Sequence, residues 1–121
     1  MNWITILILA VMVASAFLLR RSGLISPAEA AAHLKKGALI IDVRTVPEFN
    51  SGHLPGAINL PLGEIESTLP RRVKDKNQVL LLHCQAGGRS AEAKKKLIDL
   101  GYLNAFNLGS YNRAAQIVKA E

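Results

Sequence analysis

The chain holds one cysteine, Cys84, in the run His83-Cys84-Gln85-Ala86-Gly87-Gly88-Arg89-Ser90. A thiol followed at once by two glycines and an arginine has the composition of an anion-binding nest. Gly87 and Gly88 permit the backbone angles that turn several amides inward. A helix starting behind them adds partial positive charge, and Arg89 adds a full charge with a fork of donors. Each of these features favours the thiolate, the nucleophilic form of Cys84. An inert, buried cysteine of the usual hydrophobic kind accounts for neither the glycines nor the arginine. A single Cys excludes an internal disulfide, a four-cysteine zinc site and a two-cysteine redox pair. A group carried on Cys84 must therefore pass to an acceptor from outside the chain. The pattern implies no metal and no organic cofactor.

Other polar residues give weaker signals. Asp42 and Arg44 follow an apolar run and should lie at the same sheet edge as the Cys84 loop; they read first as a buried pair bracing the fold, and second as substrate contacts. His53, in Gly52-His53-Leu54-Pro55-Gly56, reads as a hydrogen-bonder in a turn. His83 precedes Cys84 in a strand, so its side chain should point to the opposite face and serve poorly as a general base. Lys94-Lys95-Lys96 read as the solvated face of a helix.

The elements that must position these residues alternate between two types. Ser26 and Pro27 start a helix, with Glu29 at its positive end, and Gly37 stops it. Leu39 to Ile41 form a short buried strand ending at Asp42. A helical turn at Pro47-Glu48-Phe49 and a short strand at Ala57-Ile58-Asn59 follow. Leu62 to Leu69 predict a short helix, and the polar link 71–77 leads to Val79-Leu80-Leu81-Leu82-His83. That continuous apolar run suits a central parallel strand covered on both faces. Arg89 to Leu100 predict a helix stopped by Gly101, then come a strand over 104–107 and a helix over 112–119. Strands alternating with helices at these lengths mean an α/β fold, a mostly parallel sheet flanked by helices. In such sheets ligands bind beyond the carboxyl ends of the strands, where the Cys84 loop sits.

Residues 1–22 differ from the rest. All 15 basic and 9 acidic residues lie from Arg20 onward. Residues 3–19 are apolar apart from Thr5 and Ser15, and as a helix would reach about 26 Å at about 1.5 Å per residue. That nearly spans a hydrocarbon core of roughly 30 Å, with Arg20 and Arg21 snorkelling at one end and Trp3 near the other interface. The expectation is a transmembrane anchor over residues 1–22 and a globular domain over 23–121. Positive charge after the apolar run places the N-terminus outside and the domain in the cytoplasm. The alternative is a signal peptide cleaved near Ala16, since Ala14-Ser15-Ala16 has the small-x-small form. From Ser22 onward 13 basic and 9 acidic residues leave a surplus of +4, which suits a domain that handles small anions or faces acidic lipid. With aromatics at 5% and no aromatic-rich basic patch, nucleic acid is not an expected partner.

Two known loop types place a thiolate in such a nest. Tyrosine phosphatases separate Cys from Arg by five residues, whereas here only Gln85, Ala86, Gly87 and Gly88 intervene. One amide fewer makes a tighter ring, better matched to a single sulfur atom than to a phosphoryl group. The chain resembles the single-domain rhodaneses, thiosulfate-type sulfurtransferases. The resemblance runs through Ile41-Asp42-Val43-Arg44-Thr45, Glu48-Phe49, Gly52 to Pro61, the loop Cys84 to Ser90, and Leu100-Gly101-Tyr102. It implies that Cys84 carries sulfane sulfur as a persulfide and that Gln85, Ala86, Gly87, Gly88, Arg89 and Ser90 form the cradle. Arg89 would then hold the sulfonate of thiosulfate or a comparable anion. The implied acceptors are cyanide, a small thiol or a protein cysteine. The tail Leu108-Gly109-Ser110-Tyr111-Asn112-Arg113 lacks the tryptophan of many rhodaneses and is similar to the small exported rhodaneses of the phage-shock type, which favours export. Two other functions remain open: a persulfide-carrying or redox-sensing interaction module at the membrane, and a phosphatase or arsenate reductase.

Overall fold

A computed structural model describes residues 2–119, with the side chains of residues 18–22 outside the description. The chain runs α1 (Trp3–Ser22), α2 (Pro27–Lys35), β1 (Leu39–Asp42), α3 (Val46–Asn50), β2 (Ile58–Asn59), a 3-10 turn (Leu62–Glu64), α4 (Ile65–Arg72), β3 (Leu80–His83), α5 (Gly88–Asp99), β4 (Ala105–Gly109) and α6 (Tyr111–Lys119). The strands form one parallel sheet in the order β2-β1-β3-β4. β3 lies inside it and is buried along its whole length, as its unbroken apolar sequence requires.

Side chains alternate across the sheet and build a core on each face. Ile41, Leu80 and Leu82 pack with Ile65 and Leu69 of α4 and Ala93 and Leu97 of α5. Ile40 and Leu81 pack on the other face with Ala30 of α2 and Ala114 and Ile117 of α6. Each fully buried leucine or isoleucine contributes about 1.5–3 kcal/mol, so β3 is fixed from both sides and the loop leaving it starts from a rigid point.

The local signals act where the sequence places them. The Ser26 hydroxyl accepts the Glu29 amide with Pro27 opening α2. The Thr45 hydroxyl accepts the Glu48 amide while the Glu48 carboxylate accepts the Thr45 amide, a reciprocal cap on α3. The helix expected over 62–69 is instead a 3-10 turn followed by α4, which continues through Pro70 to Arg72. Burial of Ile65 and Leu69 anchors α4 firmly enough to carry a proline near its end.

The N-terminal segment is helical, but the expected transmembrane span is not supported: among the described residues no helix is long and apolar enough to cross a membrane. The side chains of Leu18, Leu19 and the expected flank at Arg20 and Arg21 lie outside the description.

Candidate active site around Cys84

β3 ends at His83 and α5 begins at Gly88, so the loop Cys84 to Gly87 fills the gap between the sheet edge and the helix N-terminus. Cys84 faces the α4–α5 side, its side chain in the same apolar cluster as Leu80 and Leu82. The Gly87 amide donates to Cys84 Sγ at 2.9 Å, and the Ser90 hydroxyl lies 3.6 Å from the same sulfur. Burial pushes the thiol pKa up; hydrogen bonds from the Ser90 side chain and from the Ser90, Gly87 and Ala86 amides outweigh it and leave the pKa below its ordinary value. The nest is therefore made of loop amides and one hydroxyl.

Gly87 carries the turn, with φ +106, a conformation open to glycine at little cost. Gly88, expected to share this role, has no positive φ; it opens α5 instead. The loop is pinned to the neighbouring strand end. The Cys84 amide donates to Gly109 O at 3.2 Å, and the Tyr111 amide donates to Gln85 O at 3.2 Å.

Asp42 and Arg44 form the floor, both buried. Arg44 Nη2 meets Asp42 Oδ2 at 2.8 Å and Nε reaches both carboxylate oxygens. The remaining donors bind Gly52 O at 2.7 Å and Gln85 Oε1 at 3.3 Å, and the guanidinium lies over the Tyr111 ring. Hydrogen bonding to Asp42 raises the Arg44 pKa above its ordinary value. Arg44 thus ties β1, the 52 turn, α6 and the side chain of Gln85 together beneath the loop.

Arg89, the expected anion holder, lies at the first turn of α5. It pairs in bidentate fashion with Glu48 of α3, Nη1 to Oε1 at 2.6 Å and Nη2 to Oε2 at 2.9 Å. Hydrogen bonding from Arg89, helped by the Thr45 amide, holds the Glu48 carboxyl down to about 2. His83 lies on the α6 side, edge-on to Tyr111. Its Nδ1 is 3.2 Å from Cys84 O, and a carbonyl only accepts, so Nδ1 carries the proton. Burial lowers its pKa and keeps it neutral, pointed away from the thiol. His53 Nδ1 bonds Phe49 O at 2.9 Å and its ring stacks on Phe49. Among the described residues no group of three or more His, Cys, Asp or Glu is placed to hold a metal ion.

This geometry agrees with the comparison to known families, in which residues 26–115 match the rhodanese-like domain. The chain belongs to the rhodanese family. Thiosulfate sulfurtransferase PspE of Escherichia coli is 39% identical over 69 residues, which cover 57% of this chain and 66% of that protein. The human thiosulfate:glutathione sulfurtransferase is 33% identical over 87 residues, covering 61% of this chain and 76% of its own. Among solved structures, a rhodanese with anions from E. coli superposes with a TM-score of 0.60 at 38% identity, covering 64% of this chain and 91% of that one.

Sequence reasoning gathered the rhodanese loop residues and the Asp42–Arg44 pair but missed Glu48 as the partner of Arg89. A signal was present: Thr45 followed three residues later by Glu48 is a capping pattern, and it fixes Glu48 in the first turn of α3. The meeting of that turn with α5 comes from tertiary packing and has no local sign.

Proposed function

We propose that the protein is a rhodanese-type sulfurtransferase that carries sulfane sulfur on Cys84 and is held at a membrane by its N-terminal segment. One observation carries the catalytic part: Cys84 Sγ receives the Gly87 amide at 2.9 Å beside the Ser90 hydroxyl, at the start of α5, which favours a thiolate at neutral pH. The names of the relatives, thiosulfate sulfurtransferase and thiosulfate:glutathione sulfurtransferase, support thiosulfate-like donors and thiol acceptors.

The thiolate attacks the outer sulfur of the donor. A bond forms between Sγ and that sulfur, and the S–S bond of thiosulfate breaks with its electron pair leaving on sulfite. Cys84 then bears a persulfide, its terminal sulfur held among the amides of residues 85–90. Cyanide, a small thiol or a protein cysteine takes that sulfur and the thiolate returns, a double displacement with ping-pong order. His83 is not needed as a base, because the loop amides and the Ser90 hydroxyl favour the ionised form of the nucleophile. Purified protein should form thiocyanate from thiosulfate and cyanide, and Cys84→Ser should reduce this to the uncatalysed rate; turnover surviving in the variant would overturn the proposal.

The tether rests on α1, whose Trp3, Val11, Met12, Val13 and Phe17 side chains are exposed. Burying them in lipid removes a large apolar surface from water. Arg20 and Arg21 after the apolar run favour a domain over 23–121 on the cytoplasmic side, with export after cleavage near Ala16 as the competing outcome. Membrane fractionation with intact mass separates the two: residues 1–16 retained in the membrane fraction supports the anchor, and their loss with release of the domain contradicts it.

A further inference from the structure

Arg89 is the charged side chain of the Cys84 loop, yet both of its Nη groups face Glu48. The Glu48 carboxylate is itself fixed, accepting the Thr45 amide at 3.1 Å and the Thr45 hydroxyl at 3.0 Å. It therefore holds the guanidinium against α3 by a short, planar, two-point contact, the strongest geometry available to such a pair. Sγ ionisation in this arrangement is favoured by the Ser90, Gly87 and Ala86 groups. An anionic donor approaching Cys84 meets an arginine whose charge is already neutralised, with a carboxylate beside it.

Resting on the sulfurtransferase reading above, we infer that Glu48 is a specificity-determining residue of the donor step. By holding Arg89, it disfavours dianionic donors such as thiosulfate relative to donors of lower charge such as small alkyl persulfides. With an alkyl persulfide the step is equally balanced: the Cys84 thiolate attacks the terminal sulfur of RS–SH, a new S–S bond forms at Sγ, and the electron pair of the broken bond leaves on the thiolate RS⁻. No oxidant or reductant enters. The leaving group carries one charge where sulfite carries two, so it needs less positive charge at the rim of the site.

The test is Glu48→Gln, which keeps a capping residue at the third position of α3 and removes the charge. Initial rates are measured with thiosulfate and with the persulfide of 2-mercaptoethanol, using cyanide as acceptor. In the variant KM for thiosulfate should fall about three- to fivefold, the range of a partly exposed charge contact, with kcat unchanged and KM for the persulfide within about twofold of wild type. The thiosulfate shift should shrink in high salt. Equal shifts for both donors, an unchanged KM for thiosulfate, or a rise in it would overturn the inference while leaving the sulfurtransferase reading intact. If the wild-type protein moves sulfur from neither donor, both readings fall together.

Discussion

Two arginine–carboxylate pairs flank the Cys84 loop, and their surroundings give them opposite characters. On the floor, Arg44 and Asp42 are both buried, and Arg44 also holds Gly52 O and Gln85 Oε1. At the rim, Arg89 and Glu48 make as good a contact, but their side chains remain 36% and 32% exposed. A buried charge that loses its partner has no water to replace it, whereas a rim charge is rehydrated at once. The floor pair therefore acts on folding and on the position of the loop, and the rim pair on which anions approach.

The largest effect should come from the floor. Arg44→Ala strands the Asp42 carboxylate and should cost about 3–5 kcal/mol of stability, read as a lower midpoint in urea unfolding. Changing Asp42→Asn in the same chain should recover a large part of that loss. Arg89→Gln should move the midpoint far less, and a loss as large as that of Arg44→Ala would break the distinction between the two pairs.

Next in size is the turn that joins the regions. Gly87→Ala places a side chain at φ +106, where the new Cβ would lie 3.6 Å from the Gly109 carbonyl carbon. The space is ordinary, so the left-handed backbone sets the cost, about 1–2 kcal/mol, and the amide aimed at Sγ should shift with it. Equilibrium unfolding and sulfur-transfer rate should fall together in this variant; unchanged activity would mean the Gly87 amide is dispensable.

A chemical change without unfolding is expected from Ser90→Ala. The Ser90 hydroxyl helps to hold the Cys84 pKa below its ordinary value, so its removal should move the inflection of the pH–alkylation profile to higher pH. A profile that stays in place would show that the amides alone stabilise the thiolate.

The smallest effect belongs to the rim in acid. Glu48 is lowered from 4.5 to about 2, so its contribution to stability is present above about 4.5 and is lost as pH falls toward about 2. Wild-type protein should lose slightly more stability across that window than Glu48→Gln, and the difference should fade in high salt. Identical acid profiles would show that the rim contact is fully screened.

Much of the fold was legible because its signals are local. The unbroken apolar run of β3, Ser26-Pro27 before α2, and Gly37 and Gly101 after their helices each act through neighbouring residues. The Cys84 loop was legible for the same reason, since thiol, glycine turn and helix start are contiguous. Two features of the site were not. Arg89 meets a carboxylate 41 residues away, and the direction of its side chain depends on how α3 packs beside α5. The passage of α4 through Pro70 likewise depends on burial of Ile65 and Leu69, which outweighs a local helix breaker. The apolar run at 3–19 is likewise local and forms the helix α1, but the medium around that helix has no sign in the packing of the domain.

The central claim is that Cys84 cycles between thiolate and persulfide in its amide nest. Intact mass of the full-length protein, before and after thiosulfate and then after cyanide, tests it most directly. Wild-type protein should gain the mass of one sulfur atom and lose it again with cyanide, while Cys84→Ser gains nothing. A folded wild-type protein that takes up no sulfur from thiosulfate or from an alkyl persulfide, or a Cys84→Ser variant that does, would contradict the account.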